Sequence, residues 1–584
     1  MFITMNYRKT YISFSLLAFV LFSCNPKDGP VEPPKPPDVT YPDPVDPPLA
    51  NTVGFFLDDW KPRTFEIPEH AAGPLPTGTP ATIVEVDASK VITKVSPSIF
   101  GQNAVSWTGK MVDQPVLMQH LNILKPGVIR FPGGALCDIY FWNRNMQDKP
   151  ADVPDSMMAE NGTKVLFRWN FWYGKANPPE RADLDNYYTL LQQTGSPGMI
   201  TVNYAYARYG TSANPVAQAA HLAADWVRFD NGRTKYWEIG NEEHGGWEAG
   251  YRIDTRLNKD GQPEFINGQL YGQHIKVFVD SMRKAANEIG KKIYIGAYVL
   301  EETPGSWLAN ASKAAVDWNR LLMTEMRNAD IDYYIIHSYF TETSNVSFDN
   351  ILNSANKTGV FLNYVKSQLG QYGAAVKPVA LTEYNIFAQG SMQQVSYANG
   401  MHTVIVLGEA IKNLYGNAVR WDIANGWENG NDHGLFNLGD EPGGVKWNPR
   451  PVFYYMYYFQ KTFGDRMLES RVNSSNILAY ASSFSSGHKG VVLVNKSNSQ
   501  LPVKINLKNA NYGPKYYWYT LTGGSDNGDF SRKVFVNNSG GDANSGGPSG
   551  TYTSLKAFSG NTGDGIHLSV PARSVIYLVI DKKL

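Results

Sequence analysis

The sequence predicts an α/β protein: a (β/α)8 TIM barrel followed by a C-terminal β-sandwich domain. Between residues 96 and 465, eight short apolar segments rich in β-forming residues recur, and most gaps between them contain a helical pattern. Beyond residue 465, short β-type segments follow one another without helical patterns between them. Strands that alternate with helices are typical of a parallel barrel, whereas strands separated by turns are typical of a sandwich.

The predicted barrel strands are apolar runs that end in polar residues. Helical periodicity in the gaps is clearest at residues 271–289 and 397–414, and an aromatic helix is predicted at 453–463. Because the active site of such a barrel lies at the carboxyl ends of its strands, polar residues there are the candidates for function. The eight predicted strands are residues 99–102, 127–132, 199–204, 236–242, 292–298, 331–339, 377–385 and 418–425.

The predicted sandwich occupies residues 466–584. A stretch rich in Gly, Asn and Ser at 537–550 predicts a long surface loop within it. Ahead of the barrel, in residues 51–95, we expect a strand at 53–60 and, at 82–95, a hairpin that joins the sandwich. The predicted sandwich strands are residues 477–484, 490–495, 503–507, 515–520 and 574–580.

The N-terminus predicts export. Arg8 and Lys9 supply the positive end of a signal peptide, and residues 11–22 supply its apolar segment. This apolar segment is too short to cross a bilayer, because a spanning helix needs about 20 residues. We therefore expect a signal peptide and not a transmembrane anchor.

A lipid anchor is predicted directly after the signal peptide. Residues 21–24 (LFSC) resemble a bacterial lipobox, with Phe22 where a small residue is usual, so residues 1–24 would comprise the signal and the acceptor Cys24. An ordinary signal peptide with an incidental cysteine is the alternative. The proline-rich residues 25–50 predict an extended, semi-rigid linker. Together these features predict an exported protein, lipid-anchored at the bacterial outer membrane or cell surface.

Charge and cysteine content exclude some partners and scaffolds. Lys+Arg and Asp+Glu both number 53, so the formal net charge is zero and gives no reason to expect nucleic acid or an anionic membrane surface as partner. The two cysteines are Cys24 and Cys137, and acylation of the first leaves the second without a disulfide partner. No spacing indicates a zinc site, and the loop at 429–433 is interpreted as a turn in preference to a calcium site. We expect neither metal nor cofactor.

Two predicted strands end on glutamate. Residues 236–242 (YWEIGNE) end at Glu242, and Glu383 lies near the end of strand seven, so both should reach the same barrel face. Retaining glycoside hydrolysis needs an acid/base and a nucleophilic carboxylate about 5 Å apart. We therefore predict Glu242 as acid/base and Glu383 as nucleophile, although a single glutamate at a strand end is usually just solvated.

Two polar residues at neighbouring strand ends would support this pair. Asn241 is predicted to hydrogen-bond a sugar hydroxyl next to the reacting carbon. Arg130, at the end of strand two, is predicted to hold Glu383 as the carboxylate, because an adjacent cation favours the ionised form. A purely structural arginine paired with Glu238 is the alternative.

Further candidates for substrate binding lie on strand six and on two loops. His337 and Tyr339 alternate at the end of strand six, so both would point into the barrel mouth, although a satisfied semi-buried histidine is the alternative for His337. Trp247, Trp427 and His433, on the loops after strands four and eight, are candidates for sugar subsites.

These motifs resemble those of clan A glycoside hydrolases, and most closely family 51, the α-L-arabinofuranosidases and related glycanases. The likeness runs from about residue 83 through the sandwich. Thr382 and Tyr384 flank Glu383 where Asp and Trp are more usual. The matching segments are residues 130–142, which begin RFPGG; 236–247, which begin YWEIGNE; 337–339 (HSY); and 382–385 (TEYN).

The resemblance implies retaining hydrolysis by double displacement, with Glu242 as acid/base and Glu383 as nucleophile. One departure concerns the sugar. After its first strand the family usually carries a Glu-His pair that binds the arabinose ring, and those places fall on Val105 and Ser106 here. An apolar side chain cannot replace a hydroxyl-binding carboxylate, so sugar specificity does not carry over.

We therefore expect a retaining glycosidase that degrades plant or algal polysaccharide, with a poly- or oligosaccharide as partner and an α-L-arabinofuranoside as the best single substrate. The alternative is an endo-acting β-glycanase of glucanase, xylanase or agarase type. A hypothesis of another class is a non-catalytic glycan-binding surface lipoprotein. That hypothesis predicts loss of at least one glutamate, yet both are present.

Overall fold

Eight parallel strands close into a barrel in the computed structural model, which confirms the predicted fold class. Strands that are consecutive in the chain are neighbours in the barrel, and the eighth pairs with the first. Parallel neighbours need crossover connections, which the intervening helices provide. The barrel strands, numbered one to eight below, are Gly101–Asn103, Ile129–Phe131, Gly198–Val202, Thr234–Ile239, Tyr294–Tyr298, Tyr333–Ser338, Val379–Tyr384 and Asn417–Arg420.

The structure describes residues 41–42, 44–165, 171–341, 345–387 and 391–583. The predicted signal peptide, Cys24 and most of the proline-rich linker lie outside these residues. Within the described part of the chain, no helix combines the length and apolar character needed to cross a membrane. Pro42–Leu584 forms one compact unit.

The helices that connect the strands are amphipathic. Gly268–Glu288 begins at Asn267, whose side chain accepts a hydrogen bond from the backbone N–H of Leu270, as an N-cap does. It buries Tyr271 and Ile275, one turn apart, against the barrel. The α-helices in the described residues are Pro115–Leu124, Leu184–Thr194, Tyr206–Tyr209, Pro215–Asp230, Gly268–Glu288, Ser306–Ala311, Trp318–Glu325, Phe348–Ser354, Lys357–Tyr372, Tyr397–Lys412 and Pro451–Thr462.

The C-terminal domain is one eleven-stranded sheet. Val491 and Leu493 face an apolar cluster to which strands from both halves of the sheet contribute, so the sheet curls around this cluster. Val492 and Val494 face the other way, into the core shared with the barrel helices. The strands are His70–Ala72, Thr82–Lys94, Arg466–Val472, Ile477–Ser483, Lys489–Asn495, Leu501–Lys508, Lys515–Gly523, Val534–Val536, Ala557–Asn561, Ile566–Val570 and Ser574–Ile580.

The hairpin predicted at 82–95 is instead one long strand, Thr82–Lys94. It pairs antiparallel with Arg466–Val472 and parallel with Leu501–Lys508, so it joins the C-terminal sheet. The turn signal in its middle corresponds to a bulge, because the pairing register shifts between Asp87 and Val91. The surface loop predicted at 537–550 is irregular, but its residues 545–548 are buried.

The strand predicted at 53–60 is wrong: Gly54–Leu57 is a 3-10 helix. Adjacent side chains of a strand point to opposite faces. Here the rings of Phe55 and Phe56 lie on the same side, and both contact Tyr236 and Tyr333 near the start of their barrel strands. The helix therefore closes the amino-terminal end of the barrel, opposite the predicted site.

Candidate active site

Arg130, on strand two, connects the polar residues at the carboxyl face of the barrel. Its Nε donates to Glu238 Oε2 (2.6 Å), and its Nη1 donates to Glu383 Oε1 (2.7 Å) and to Asn103 Oδ1 (3.0 Å). Its Nη2 donates to Asn241 Oδ1 at 2.9 Å. The guanidinium therefore pairs with Glu238, as the structural alternative predicts, and with Glu383, the predicted nucleophile. The functional role of Arg130 stays a prediction.

The charge of Arg130 is stabilised by its partners. Its side chain is fully buried, and burial alone would lower its pKa. The carboxylates of Glu238 and Glu383 outweigh this effect and raise the pKa of Arg130. Thr201 also donates to Glu238 Oε2 (3.0 Å), which holds that carboxylate in place inside the barrel.

Glu383 is oriented from both sides. It lies on strand seven, and its Oε2 accepts a hydrogen bond from the hydroxyl of Tyr339 (2.9 Å), while Arg130 binds Oε1. The side chain is 4% exposed, and these two donors fix the orientation of the carboxylate. Such an arrangement suits a nucleophile that must stay ionised and point in one direction.

Glu242 lies three residues beyond strand four, in a turn that bends sharply. Gly240 has φ +75°, and a Cβ there would lie 2.2 Å from Glu243 Oε1, so glycine is required. Glu242 itself has φ +48°, a left-handed conformation that is strained for a glutamate. The turn directs its carboxylate back over the barrel, where side-chain exposure is 16%.

Two donors bind the carboxylate of Glu242. Nδ1 of His337 lies 2.8 Å from Oε1, and Nε1 of Trp247 donates to Oε2 at 3.1 Å. The other ring nitrogen of His337 lies 3.0 Å from the hydroxyl of Thr382, which can either donate or accept. Burial works to raise the pKa of Glu242, but the hydrogen bond and charge of His337 outweigh it, so the pKa is lowered.

The two glutamates are close enough for retaining chemistry. One carboxylate oxygen of each and a ring nitrogen of His337 all lie within 4.8 Å of one another. Retaining glycoside hydrolases place their two carboxyl groups about 5 Å apart, and inverting enzymes place them farther apart to admit a water molecule. The facing oxygens of Glu242 and Glu383 are therefore close enough to be compatible with double displacement.

A buried group of three carboxyls lies directly behind Asn241. Asp138, Glu243 and Glu248 are each less than 5% exposed, and burial raises the pKa of all three well above the ordinary values. Burial therefore favours the neutral form of each carboxyl. Glu248 Oε1 accepts from Asn241 Nδ2 (3.0 Å), while Arg130 binds the amide oxygen, so the orientation of the Asn241 amide is fixed.

The remaining predicted binding residues lie at different distances from the pair. Trp247 contacts Glu242, as described, and the ring of His433 meets Tyr339 edge-on at 5.4 Å. Burial lowers the pKa of His433 to about 3, so its imidazole is neutral. The contacts of Trp427 are with the guanidinium groups of two arginines, 5.6 and 5.7 Å from its ring. A sugar-binding role for Trp427 stays a prediction.

The two residues at the family's usual Glu-His places are structural here. Val105 is fully buried, and a Cβ on Gly133 would lie 3.0 Å from its side chain. Ser106 is also fully buried, and its hydroxyl donates to the carbonyl of Ala182 (2.6 Å). Neither offers a free polar group for a sugar hydroxyl.

Several contacting residues were not predicted from the sequence. Tyr298, the last residue of strand five, packs face to face on His244 (5.2 Å) and edge-on against His337 (5.1 Å). Its position at a carboxyl strand end is the signal that would have identified it. Thr382 and Glu248 carry no such signal, because a threonine inside a strand and a glutamate in a loop are ordinary.

The charges around the two glutamates disfavour a bound metal ion. Among the residues that the structure describes, one group of three metal-ligating side chains is compact enough to hold an ion: Glu242, His337 and Glu383. Arg130 already binds Glu383 and places a positive charge there, which opposes a second cation. In the loop at 429–433, Asp432 pairs with Arg450 at 2.5 Å.

The fold is that of a TIM barrel joined to a β-rich C-terminal domain, and solved structures share it across most of the chain. No family model and no curated protein matches the sequence. The α-L-arabinofuranosidase of Thermotoga maritima, solved with arabinose, has a TM-score of 0.59 at 14% identity, covering 85% of this chain and 99% of that one. The family 51 enzyme of Thermotoga petrophila RKU-1 has a TM-score of 0.60 at 14% identity, covering 86% and 100%.

A further similar structure is that of an enzyme named for a different glycan. A Paenibacillus polymyxa xyloglucanase of glycoside hydrolase family 44 has a TM-score of 0.54 at 13% identity, covering 86% of this chain and 99% of that one. At such identities the likeness shows a shared fold. The predicted resemblance to family 51 is thus confirmed at the level of fold.

Proposed function

We propose that this protein is a retaining glycoside hydrolase in which Glu242 is the acid/base and Glu383 the nucleophile. The observation that carries the proposal is the carboxylate pair: oxygens within 4.8 Å, at the carboxyl face of a TIM barrel, each held by its own donors. The donors differ in kind, because a guanidinium binds Glu383 and an imidazole and an indole bind Glu242. Two carboxyls in different environments suit two different roles.

In the first step Glu383 attacks the anomeric carbon, and the bond from that carbon to the leaving oxygen breaks. A proton on Glu242 Oε2 passes to the leaving oxygen, and a covalent glycosyl ester forms on Glu383. In the second step Glu242 takes a proton from water, which attacks the same carbon and releases Glu383. Two displacements return the sugar with its original anomeric configuration.

His337 sets the proton affinity of Glu242 in the free site. Its hydrogen bond and charge lower the pKa of Glu242, which favours the carboxylate before substrate binds. A bound sugar displaces water from the mouth, and desolvation favours the neutral carboxylic acid. The hydroxyl of Thr382 can bond Nε2 whichever protonation state His337 adopts.

Asn241 has one N–H left for substrate. Glu248 accepts one hydrogen bond from its amide nitrogen, and Arg130 binds its oxygen. An amide nitrogen has two donors. The second N–H is available for the sugar hydroxyl next to the reacting carbon, where a hydrogen bond stabilises the transition state.

The test is a product profile on arabinan, arabinoxylan, xylan, β-glucan and agar, with the anomer released first identified by proton NMR. A retained anomer, together with loss of turnover in Glu383→Ala, is the expected result. The exposed Glu288→Ala, at the end of a barrel helix, is the matched control and should behave as wild type. An inverted first product would overturn the mechanism. Binding of a polymer without cleavage would favour the non-catalytic glycan-binding alternative.

The substrate class has two candidates. An α-L-arabinofuranoside is favoured by the resemblance in sequence motifs to family 51, and free arabinose as the single product would support it. An endo-acting β-glycanase is favoured by the buried Val105 and Ser106, which leave the family's arabinose-binding places without a free polar group. Oligosaccharide products from a β-linked polymer would decide for the second candidate.

We further propose export and lipid anchoring at Cys24, on the sequence pattern of residues 1–24. The expected result is incorporation of a fatty-acid label into the full chain expressed in bacteria, and loss of the label in Cys24→Ala. The buried Cys137 supplies a control, since Cys137→Ala should keep the label. A label that persists in Cys24→Ala would contradict the anchor.

A further inference from the structure

Two exposed tryptophans lie side by side at the rim of the site. Trp307, on the short helix Ser306–Ala311 after strand five, is 69% exposed, and Trp247 is 37% exposed. Their ring centroids are 5.7 Å apart with an angle of 23° between the planes. Exposed large aromatic side chains are costly in water, and a contiguous pair of them marks a binding surface more often than a single one does.

The pair is held against the loop that carries the proposed acid/base. A Cβ on Gly246 would lie 2.6 Å from the carbonyl oxygen of Ala311, so the loop and the end of the Trp307 helix are in close contact. The hydroxyl of Ser312 donates to the carbonyl of His244. The imidazole of His244 in turn supports Trp247 edge-on, at 5.7 Å. The short helix that carries Trp307 is therefore packed against this loop.

The hydrogen bonds of Glu242 show which side of the site this is. His337 occupies Oε1, so Oε2 is the oxygen that can exchange a proton with substrate, and Trp247 bonds that same oxygen. The acid/base delivers its proton to the leaving oxygen. The leaving sugar must therefore lie beside Oε2, next to Trp247, whereas the sugar that is attacked lies over Glu383.

We propose that Trp247 and Trp307 form an aromatic platform that binds the leaving-group portion of the glycan, the sugar rings on the reducing side of the cleaved bond. The proposal rests on the proposed function. Flat indole faces suit the apolar C–H faces of sugar rings. With Trp307 beyond Trp247, the platform reaches past the first leaving sugar. The preferred substrate is thus a glycan chain with rings on both sides of the cleaved bond.

Trp307→Ala tests the platform, because Trp307 contacts no proposed catalytic group, whereas Trp247 bonds Glu242. The substrates are the polymer that the wild type cleaves, oligosaccharides from it, and the glycosyl fluoride of the sugar on the nonreducing side of the cleaved bond, which has no leaving sugar. We expect kcat/KM on the oligosaccharides to fall roughly tenfold, the factor that about 1.4 kcal/mol of lost contact gives. Turnover of the fluoride should not change. Trp307→Phe should recover part of the loss.

Tyr512→Ala is the matched control, since Tyr512 is an exposed aromatic residue of the C-terminal domain (40% exposed). It should leave both activities unchanged. An equal loss on fluoride and oligosaccharides in Trp307→Ala, or no loss on either, would overturn the platform alone. A wild-type protein that cleaves neither the polymers nor a fluoride would overturn the proposed function, and the platform with it.

Discussion

Glu242→Ala should distinguish the two proposed catalytic roles most clearly. The substitution removes the acceptor of two N–H donors, Nδ1 of His337 and Nε1 of Trp247, and leaves a small space between them. General acid catalysis contributes about 10²- to 10⁴-fold, so kcat/KM on the natural glycan should fall by that factor. This corresponds to about 2.7 to 5.4 kcal/mol of transition-state stabilisation.

The loss should depend on the leaving group. A 2,4-dinitrophenyl glycoside departs without protonation, so its first step should stay close to the wild-type rate in Glu242→Ala. The second step still needs a base, and the glycosyl ester on Glu383 should accumulate, which lowers KM and kcat together. Azide fits the vacated space as an anion between the two donors and attacks without base assistance. Added azide should therefore restore turnover and yield a glycosyl azide of retained configuration.

Glu383→Ala is the companion variant. It lacks the nucleophile, so turnover should be lost on good and poor leaving groups alike, and azide should give a glycosyl azide of inverted configuration. The assay is release of dinitrophenol with the azide product identified by NMR, alongside circular dichroism to verify folding. Equal losses of Glu242→Ala on both leaving groups, or azide products with the two configurations exchanged, would refute the assigned roles.

Three further predictions concern the groups around the pair. Tyr339→Phe removes a donor to the Glu383 carboxylate worth about 1.5 to 3 kcal/mol, so kcat/KM should fall roughly ten- to hundredfold. Arg130→Met leaves Glu238 and Glu383 buried without their cation, so urea should unfold the variant with about 3–5 kcal/mol less stability. Burial raises the pKa of Glu248 above its ordinary value of 4.5. The folded state therefore binds this proton more tightly than the unfolded state does, so the contribution of Glu248 to the free energy of unfolding is largest below pH 4.5 and declines as pH rises towards the folded pKa. Glu248→Gln should reduce this decline, measured as the free energy of unfolding at a series of pH values from 4.5 upwards.

Each of these variants has its own check. Wild-type activity in Tyr339→Phe would show that Arg130 alone orients the nucleophile. For Arg130→Met the control is Arg256→Met, which removes an arginine that is 78% exposed and should change the free energy of unfolding far less than Arg130→Met does. For Glu248→Gln the comparison is Glu248→Ala, which leaves the amide of Asn241 unpaired and should lower kcat/KM where the glutamine does not. A pH profile in Glu248→Gln identical to that of the wild type would place the titration elsewhere.

The barrel and the glutamate pair were predictable because each depends on a local signal. Buried parallel strands are apolar runs, and the carboxyl-end rule then places Glu242 and Glu383 on one face without any contact being known. The 3-10 helix at Gly54–Leu57 was not predictable in this way. Its two phenylalanines close a ring of tyrosines that exists only after the barrel has formed. The bulge within Thr82–Lys94 likewise depends on its partner strands.

Residues that act through long-range contacts were the least visible in the sequence. No local signal in the sequence marks Asp138, Glu243 and Glu248 as a cluster, yet the fold buries them together behind Asn241. The sequence around Trp307 has no clear hydrophobic periodicity. The position of Trp307 beside Trp247 arises from the packing of its short helix on the Glu242 loop. Charge and loop composition describe the chain locally, whereas burial is a property of the assembled barrel.

At Arg130 a structural role and the proposed functional role are compatible. A guanidinium presents its donors in a rigid plane, so binding one partner fixes the directions of the others. Glu238, inside the barrel, orients Nε; Nη1 and Nη2 then necessarily point at Glu383 and Asn241. The proposed nucleophile and the residue that precedes the proposed acid/base are thus positioned by one group anchored in the core. A lysine would keep the positive charge but could not hold the three partners in fixed directions. The site therefore requires the planar set of guanidinium donors as well as the charge.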